Sequence, residues 1–103
     1  MNFDDKTLIT ALINIAAAAG WSLRSVFDGE QWNPACNRVE TMALLGNIDE
    51  ASLRFIRDVD GTRERGTVVC VLGSRDWTTL ADASENFGEI TTRAYEECAA
   101  YVA

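Results

Sequence analysis

The segment Thr67 to Leu72, TVVCVL, is the most apolar run of the chain and carries no charged residue on either face that a strand would present. Strands turn successive side chains to opposite faces, so a run apolar on both predicts a strand inside a sheet, with neighbours on each side. The longer stretch Ser52 to Ser74, SLRFIRDVDGTRERGTVVCVLGS, then reads as a long β-hairpin. Leu53 and Phe55 share one face of its first arm, Arg54 and Ile56 the other. Asp60-Gly61 stands near the tip, the charged residues to Arg65 lie beyond it, and Gly73 ends the second arm.

The flanking sequence supplies helices and further strands. Asp4 or Asp5 can cap a first helix, heavily covered because Leu8, Ile9, Leu12, Ile13, Ile15 and Ala16 to Ala19 leave only a thin polar stripe of Lys6, Thr10 and Asn14. Gly20 gives that helix a left-handed stop. Trp21 to Phe27 alternates large apolar with polar residues, Asp28-Gly29 offers a hairpin turn, and Glu30 to Trp32 begins the return strand. Asn33-Pro34 reads as the start of a second helix, with Val39, Met42, Ala43 and Leu45 on one face and Gly46-Asn47 closing it. Trp77 to Ala83 is ambiguous between a strand and a helical turn; Thr78-Thr79 favours the strand, with Ser84 or Asn86 capping the helix after it. That last helix, from about Phe87 to Val102, turns Phe87, Ile90, Ala94, Cys98, Tyr101 and Val102 inward and Glu85, Glu89, Arg93, Glu96 and Glu97 outward.

This order predicts one α+β domain over residues 1–103. Its antiparallel sheet has four to five strands covered on one face by helices, in the order α-β-β-α-β-β-β-α. The opposite face is expected to be partly open. At 103 residues the chain is long enough to bury a core of its own. No segment is both long and apolar enough to span a bilayer and Met1 to Asp5 lacks a basic leader, so the expectation is a soluble, cytoplasmic protein.

Composition removes several kinds of chemistry. There is no histidine, and hence no Ser-His or Cys-His nucleophile and none of the commonest metal ligand. The three cysteines, Cys36, Cys70 and Cys98, are widely spaced and read as core thiols. Asp58-Val59-Asp60-Gly61 begins like a calcium loop, but no third acid or closing Glu follows, so a hairpin turn is the better reading. Gly73-Ser74-Arg75-Asp76 lacks the glycines and lysine of a phosphate loop. Paired carboxylates such as Glu85 with Glu89, on the outer face of a helix, read as solvated charge and not as an acid–base pair. The expectation is therefore no catalytic residue, no metal and no cofactor.

Charge is unevenly spread. Residues 1–50 hold seven acids and three bases, residues 51–75 three acids and five bases, and residues 76–103 six acids and one base. Such acidity disfavours direct binding of nucleic acid and suits a basic protein partner. The features above background are the acidic last helix with Glu85, Glu89, Glu96 and Glu97, the hairpin arginines Arg54, Arg57, Arg63 and Arg65, and three tryptophans. Of these Trp21 and Trp77 are expected in the core and Trp32 partly exposed. Because Trp and Arg often anchor interfaces, Trp32, Arg63 and Arg65 join the four glutamates as candidate binding residues.

Several of these elements occur together in a known setting. The aromatic strand into D-G-E-x-W within GWSLRSVFDGEQW, the short helix, the strand ending in DVDG, the apolar strand TVVCVLG and the acidic final helix resemble small uncharacterised acidic proteins of phages and prophages. The resemblance implies a phage or mobile-element protein that binds a host protein in the host cytoplasm and inhibits or redirects it. It lends no catalytic residue. A nucleic-acid-binding defence factor is one such target, met by acids that mimic phosphates in the manner of an anti-CRISPR protein. The alternative is a homodimeric accessory module joined through the open sheet face.

Overall fold

The computed structural model describes residues 3–35, 37–46, 50–72 and 80–102. Its elements follow in the expected order: α1 (Phe3–Ala18), β1 (Ser22–Phe27), β2 (Trp32–Pro34), α2 (Arg38–Leu45), β3 (Glu50–Val59), β4 (Thr62–Val71), β5 (Leu80–Ala83) and, after a 3-10 turn at Glu85–Phe87, α3 (Gly88–Val102). The five strands form one antiparallel sheet in the order β2-β1-β3-β4-β5. As the charge-free run Thr67 to Leu72 predicts, β4 lies inside the sheet, flanked by β3 and β5.

The helices share one face of the sheet. Leu8, Ile9, Leu12, Ile15 and Ala16 of α1 and Ile90, Ala94 and Cys98 of α3 meet Leu23, Val26, Leu53, Phe55, Val68 and Cys70 of the strands in a continuous core. Spacings of three and four residues place each helical set on one stripe, while the strand residues share the inward pleat. Three aromatic rings hold the centre. Phe87 stacks on Phe55 with centroids 4.7 Å apart and meets Trp21 edge-on at 5.1 Å. Both arrangements suit the ring quadrupoles.

Helix α1 ends as its glycine predicts. Gly20 adopts φ +90°, its N–H donates to the Ala17 carbonyl and that of Trp21 donates to the Ala16 carbonyl. This 5→2 and 6→1 pair both satisfies the terminal carbonyls and swings Trp21 into the core. The helix begins before Asp4 and Asp5, so neither precedes it as a cap. Coverage of α1 is one-sided: Lys6, Asn14, Ala17 and Ala18 are exposed.

Two further local expectations are corrected. Asn33-Pro34 does not open a helix; Pro34 pairs with Ser25 on the edge strand β2, where a missing N–H costs nothing. The cap is Asn37, whose side chain accepts from the Glu40 N–H at 2.9 Å and donates to the Glu40 carboxylate at 2.8 Å. In α2 the buried residues are Thr41 and Leu45, whereas Val39 is 72% exposed and Ala43 is exposed as well. Thr41 tolerates burial because its hydroxyl donates to the Asn37 carbonyl at 2.8 Å. Leu80–Ala83 confirms the strand reading for that part of Trp77 to Ala83. Trp77, Cys36, Asn47 and residues 73–76 lie outside the described residues, as do the side chains of Tyr101 and Val102.

Candidate functional site

The β3–β4 hairpin places four of the chain's nine basic residues, Arg54, Arg57, Arg63 and Arg65. Asp60 and Gly61 take φ +50° and +80° between the paired residues Val59 and Thr62, a two-residue turn whose twist matches the strands. DVDG is thus a hairpin turn, as its incomplete ligand pattern predicts. Pairing of β1 with β3 stops at Ile56, so the tip runs on past the edge of β1. There the arginines meet the hairpin's own acids. Arg57 pairs across the strands with Glu64 at 2.8 Å, and Arg63 with Asp58 at 3.3 Å.

Alternation sorts these pairs onto two sides. Arg57 and Glu64 lie on the helix-covered side, where the Arg57 guanidinium sits 4.5 Å over the Trp21 ring and its stem runs beside Gly20. Arg57 thereby ties the tip to the end of α1, a packing role in which its aliphatic stem matters as much as its charge. Arg54, Arg63 and Arg65 lie on the open side. Arg65 is exposed and has no charged partner among the described residues.

Trp32 also stands on the open side, 37% exposed, against Phe27 at 5.2 Å and beneath the Arg54 guanidinium at 4.0 Å. The local sequence explains its position. Asp28 Oδ1 accepts from the N–H groups of Glu30 and Gln31, both at 2.9 Å, while Gly29 takes φ +102°. This turn sets Phe27 directly opposite Trp32. The hydrogen bonds, led by that from Gln31 and followed by that from the Asn33 side chain, hold the Asp28 carboxyl below its ordinary value.

The acids of α3 are on the opposite side of the sheet. The start of α3 is tied to β4: the Ser84 N–H donates to the Thr67 carbonyl at 2.8 Å, the Thr67 N–H to Ser84 Oγ at 3.0 Å, and Asn86 Nδ2 to the Arg65 carbonyl at 2.9 Å. Ser84 stands at the N-cap position of the Glu85–Phe87 turn, as expected, and its carbonyl accepts from the Phe87 N–H, but its side chain makes no capping bond and, like that of Asn86, clips β4 instead. Further along, the Tyr95 hydroxyl accepts from the Leu80 N–H at 2.9 Å and donates to the Leu80 carbonyl at 3.3 Å. With its inner stripe so fixed, α3 turns Glu89, Glu96 and Glu97 to solvent, and Glu85 projects from the preceding turn. None of the four is ion-paired with a described residue. Glu97 borders a shallow groove of about 310 Å³ between α1 and α3, lined also by Lys6, Thr7, Thr10 and Asn14.

The seven candidate residues therefore form two surfaces. Glu85, Glu89, Glu96 and Glu97 share the helical side; Trp32, Arg63 and Arg65 share the open sheet face. The sheet separates Glu89, Glu96 and Glu97 from the hairpin arginines, whereas Glu85 adjoins Asn86, whose side chain donates to the Arg65 carbonyl. Arg54 and Phe27 complete the Trp32 cluster. The Asp28-Gly29 turn was sufficient to pair Phe27 with Trp32, but bringing Arg54 there requires β3 to lie beside β1. Among the described residues no three metal-ligating side chains converge, and no helix is long and apolar enough to cross a membrane. Compared with family models, curated proteins and solved structures, the chain gives no match.

Proposed function

We propose that this protein is a non-enzymatic binding module whose acidic α3 face engages a basic surface on another protein. The observation that carries the reading is that Glu85, Glu89, Glu96 and Glu97 form no ion pair with a described residue and are all exposed along one firmly anchored element. Four carboxylates without an ion-pair partner outnumber the one cation of α3, Arg93, and leave a net negative field for a partner, and complementary charge steers association and fixes register. In the phage setting that the sequence resemblance implies, the partner is a host protein with a nucleic-acid-binding groove, and the acids stand in for phosphates.

The test uses the protein as bait in host lysate, with bound proteins eluted by short duplex DNA and identified by mass spectrometry. The expected eluate contains a basic nucleic-acid-binding protein that is missing when the bait is a folded Glu89→Lys/Glu96→Lys/Glu97→Lys variant. Identical eluates from both baits, or no protein displaced by DNA, would overturn the reading.

A further inference from the structure

The open face of the sheet is patterned unlike a merely solvated one. Cross-strand register places Phe27 and Trp32 in one row with Ser52, Val69 and Asp82, while Glu50 pairs with Val71 just below that row. Toward the hairpin tip, Ile56 pairs with Arg65 and Asp58 with Arg63. The middle thus carries Trp32, Phe27, Pro34 and Val69, with Arg54 lying over the Trp32 ring and Ser25, Ser52 and Thr67 between them. Glu50, an acid without an ion-pair partner among the described residues, holds one end and Arg65, a base in the same state, the other, while Asp82 stands at the β5 edge of the Phe27 row. All three described helices are on the far side of the sheet, with Leu45 of α2 and the inner stripes of α1 and α3 in its core.

We infer that this face is covered by the same face of a second copy, related by a two-fold axis that runs across the strands. An axis along the strands would keep the two Glu50 ends together and the two Arg65 ends together. An axis across them, at the level of the Leu53–Val68 pair, exchanges the two ends and sets Arg65 of each copy beside Glu50 of the other. The same operation brings Trp32 over Pro34 of the second copy, because the two residues lie one row to either side of that level. A patch with opposite charge at its two ends is complementary to itself in this way, as an isologous interface requires.

The size is adequate. The strands, of very unequal length, at about 3.3 Å per residue and about 4.8 Å spacing give a face of roughly 500 Å² in projection, at the low end of specific interfaces and suited to a reversible dimer. The two sheets pack as a sandwich with both helical layers outermost. The dimer is therefore bivalent, with two acidic α3 faces pointing away from each other. Its formation does not depend on what α3 binds.

Sedimentation equilibrium over a wide concentration range tests it. The expected species has twice the 11.3 kDa mass of the chain and grows no further. Arg65→Glu and Glu50→Arg should each weaken the dimer by about tenfold or more, because each creates two like-charge contacts. An equimolar mixture of the two variants should recover the affinity, since both contacts in the mixed dimer are again opposite in sign. Arg65→Gln and Glu50→Gln serve as milder versions, and circular dichroism checks the fold of each. A monomer at every concentration, open-ended growth, insensitivity to both variants, or a mixture no better than its components overturns the inference.

Discussion

Phe87 occupies the space over Gly66 where a side chain on β4 would stand: a Cβ there would come within 2.6 Å of the Phe87 ring. The ring has nowhere to retreat, since Phe55, the cross-strand partner of Gly66, stacks on it and Trp21 abuts its edge. Gly66→Ala should therefore destabilise the fold by about 1–3 kcal/mol through overpacking, read from urea denaturation midpoints at unchanged slope. Combined with Phe87→Leu, the cost should be smaller than the sum of the two single changes, because the smaller side chain yields the contested space.

The Tyr95 hydroxyl serves both backbone groups of Leu80 and so fastens the edge strand β5 to α3. Tyr95→Phe leaves both groups without that partner, an expected loss of about 1 kcal/mol, and amide exchange at Leu80 should accelerate most. Burial pushes the Tyr95 phenol above its ordinary 10.0. The fold thus favours the protonated phenol, and its contribution is complete below the unfolded value and lost as pH rises through the raised folded value. Thermal unfolding of Tyr95→Phe should lack this alkaline decline.

Asp28 carries the opposite sign. Hydrogen bonds from Gln31, Asn33 and Glu30 lower its carboxyl below the ordinary 3.8. Its contribution to the β1–β2 turn is present above that value and lost as pH falls from 3.8 through the lower folded value. NMR titration should show the Glu30 and Gln31 amides moving together in that window. Asp28→Asn keeps an acceptor oxygen and the turn but abolishes the titration, whereas Asp28→Ala loses both. Amides that shift only above 3.8 would contradict the assignment.

Element order was legible because its signals are local: the helical stripe of α1 before Gly20, two D-G turns between alternating strands, and the charge-free run Thr67 to Leu72. The outward face of α3 followed from its period alone. Errors fell where two local rules compete. Asn-Pro suits a helix start, yet Pro34 is equally at home on an edge strand, and only the pairing of β2 with β1 chooses between them. Val39 belongs to an apolar stripe on paper, but the side of α2 that is buried is the one carrying Thr41 and Leu45.

The hairpin from Ser52 to Ser74 shows where sequence ends and tertiary structure begins. Its arms, its Asp60-Gly61 turn and the central place of Thr67 to Leu72 were determined by residue pattern, because backbone conformation and face alternation depend on neighbours a few positions away. The partners of its side chains were decided only by folding. Arg57 meets Trp21, Arg54 meets Trp32, and Gly66 makes room for Phe87. The separation of acidic helix from arginine-bearing sheet was settled in the same way. Each of these joins segments distant in sequence, and strand order and close packing fix such contacts where periodicity carries no information about them.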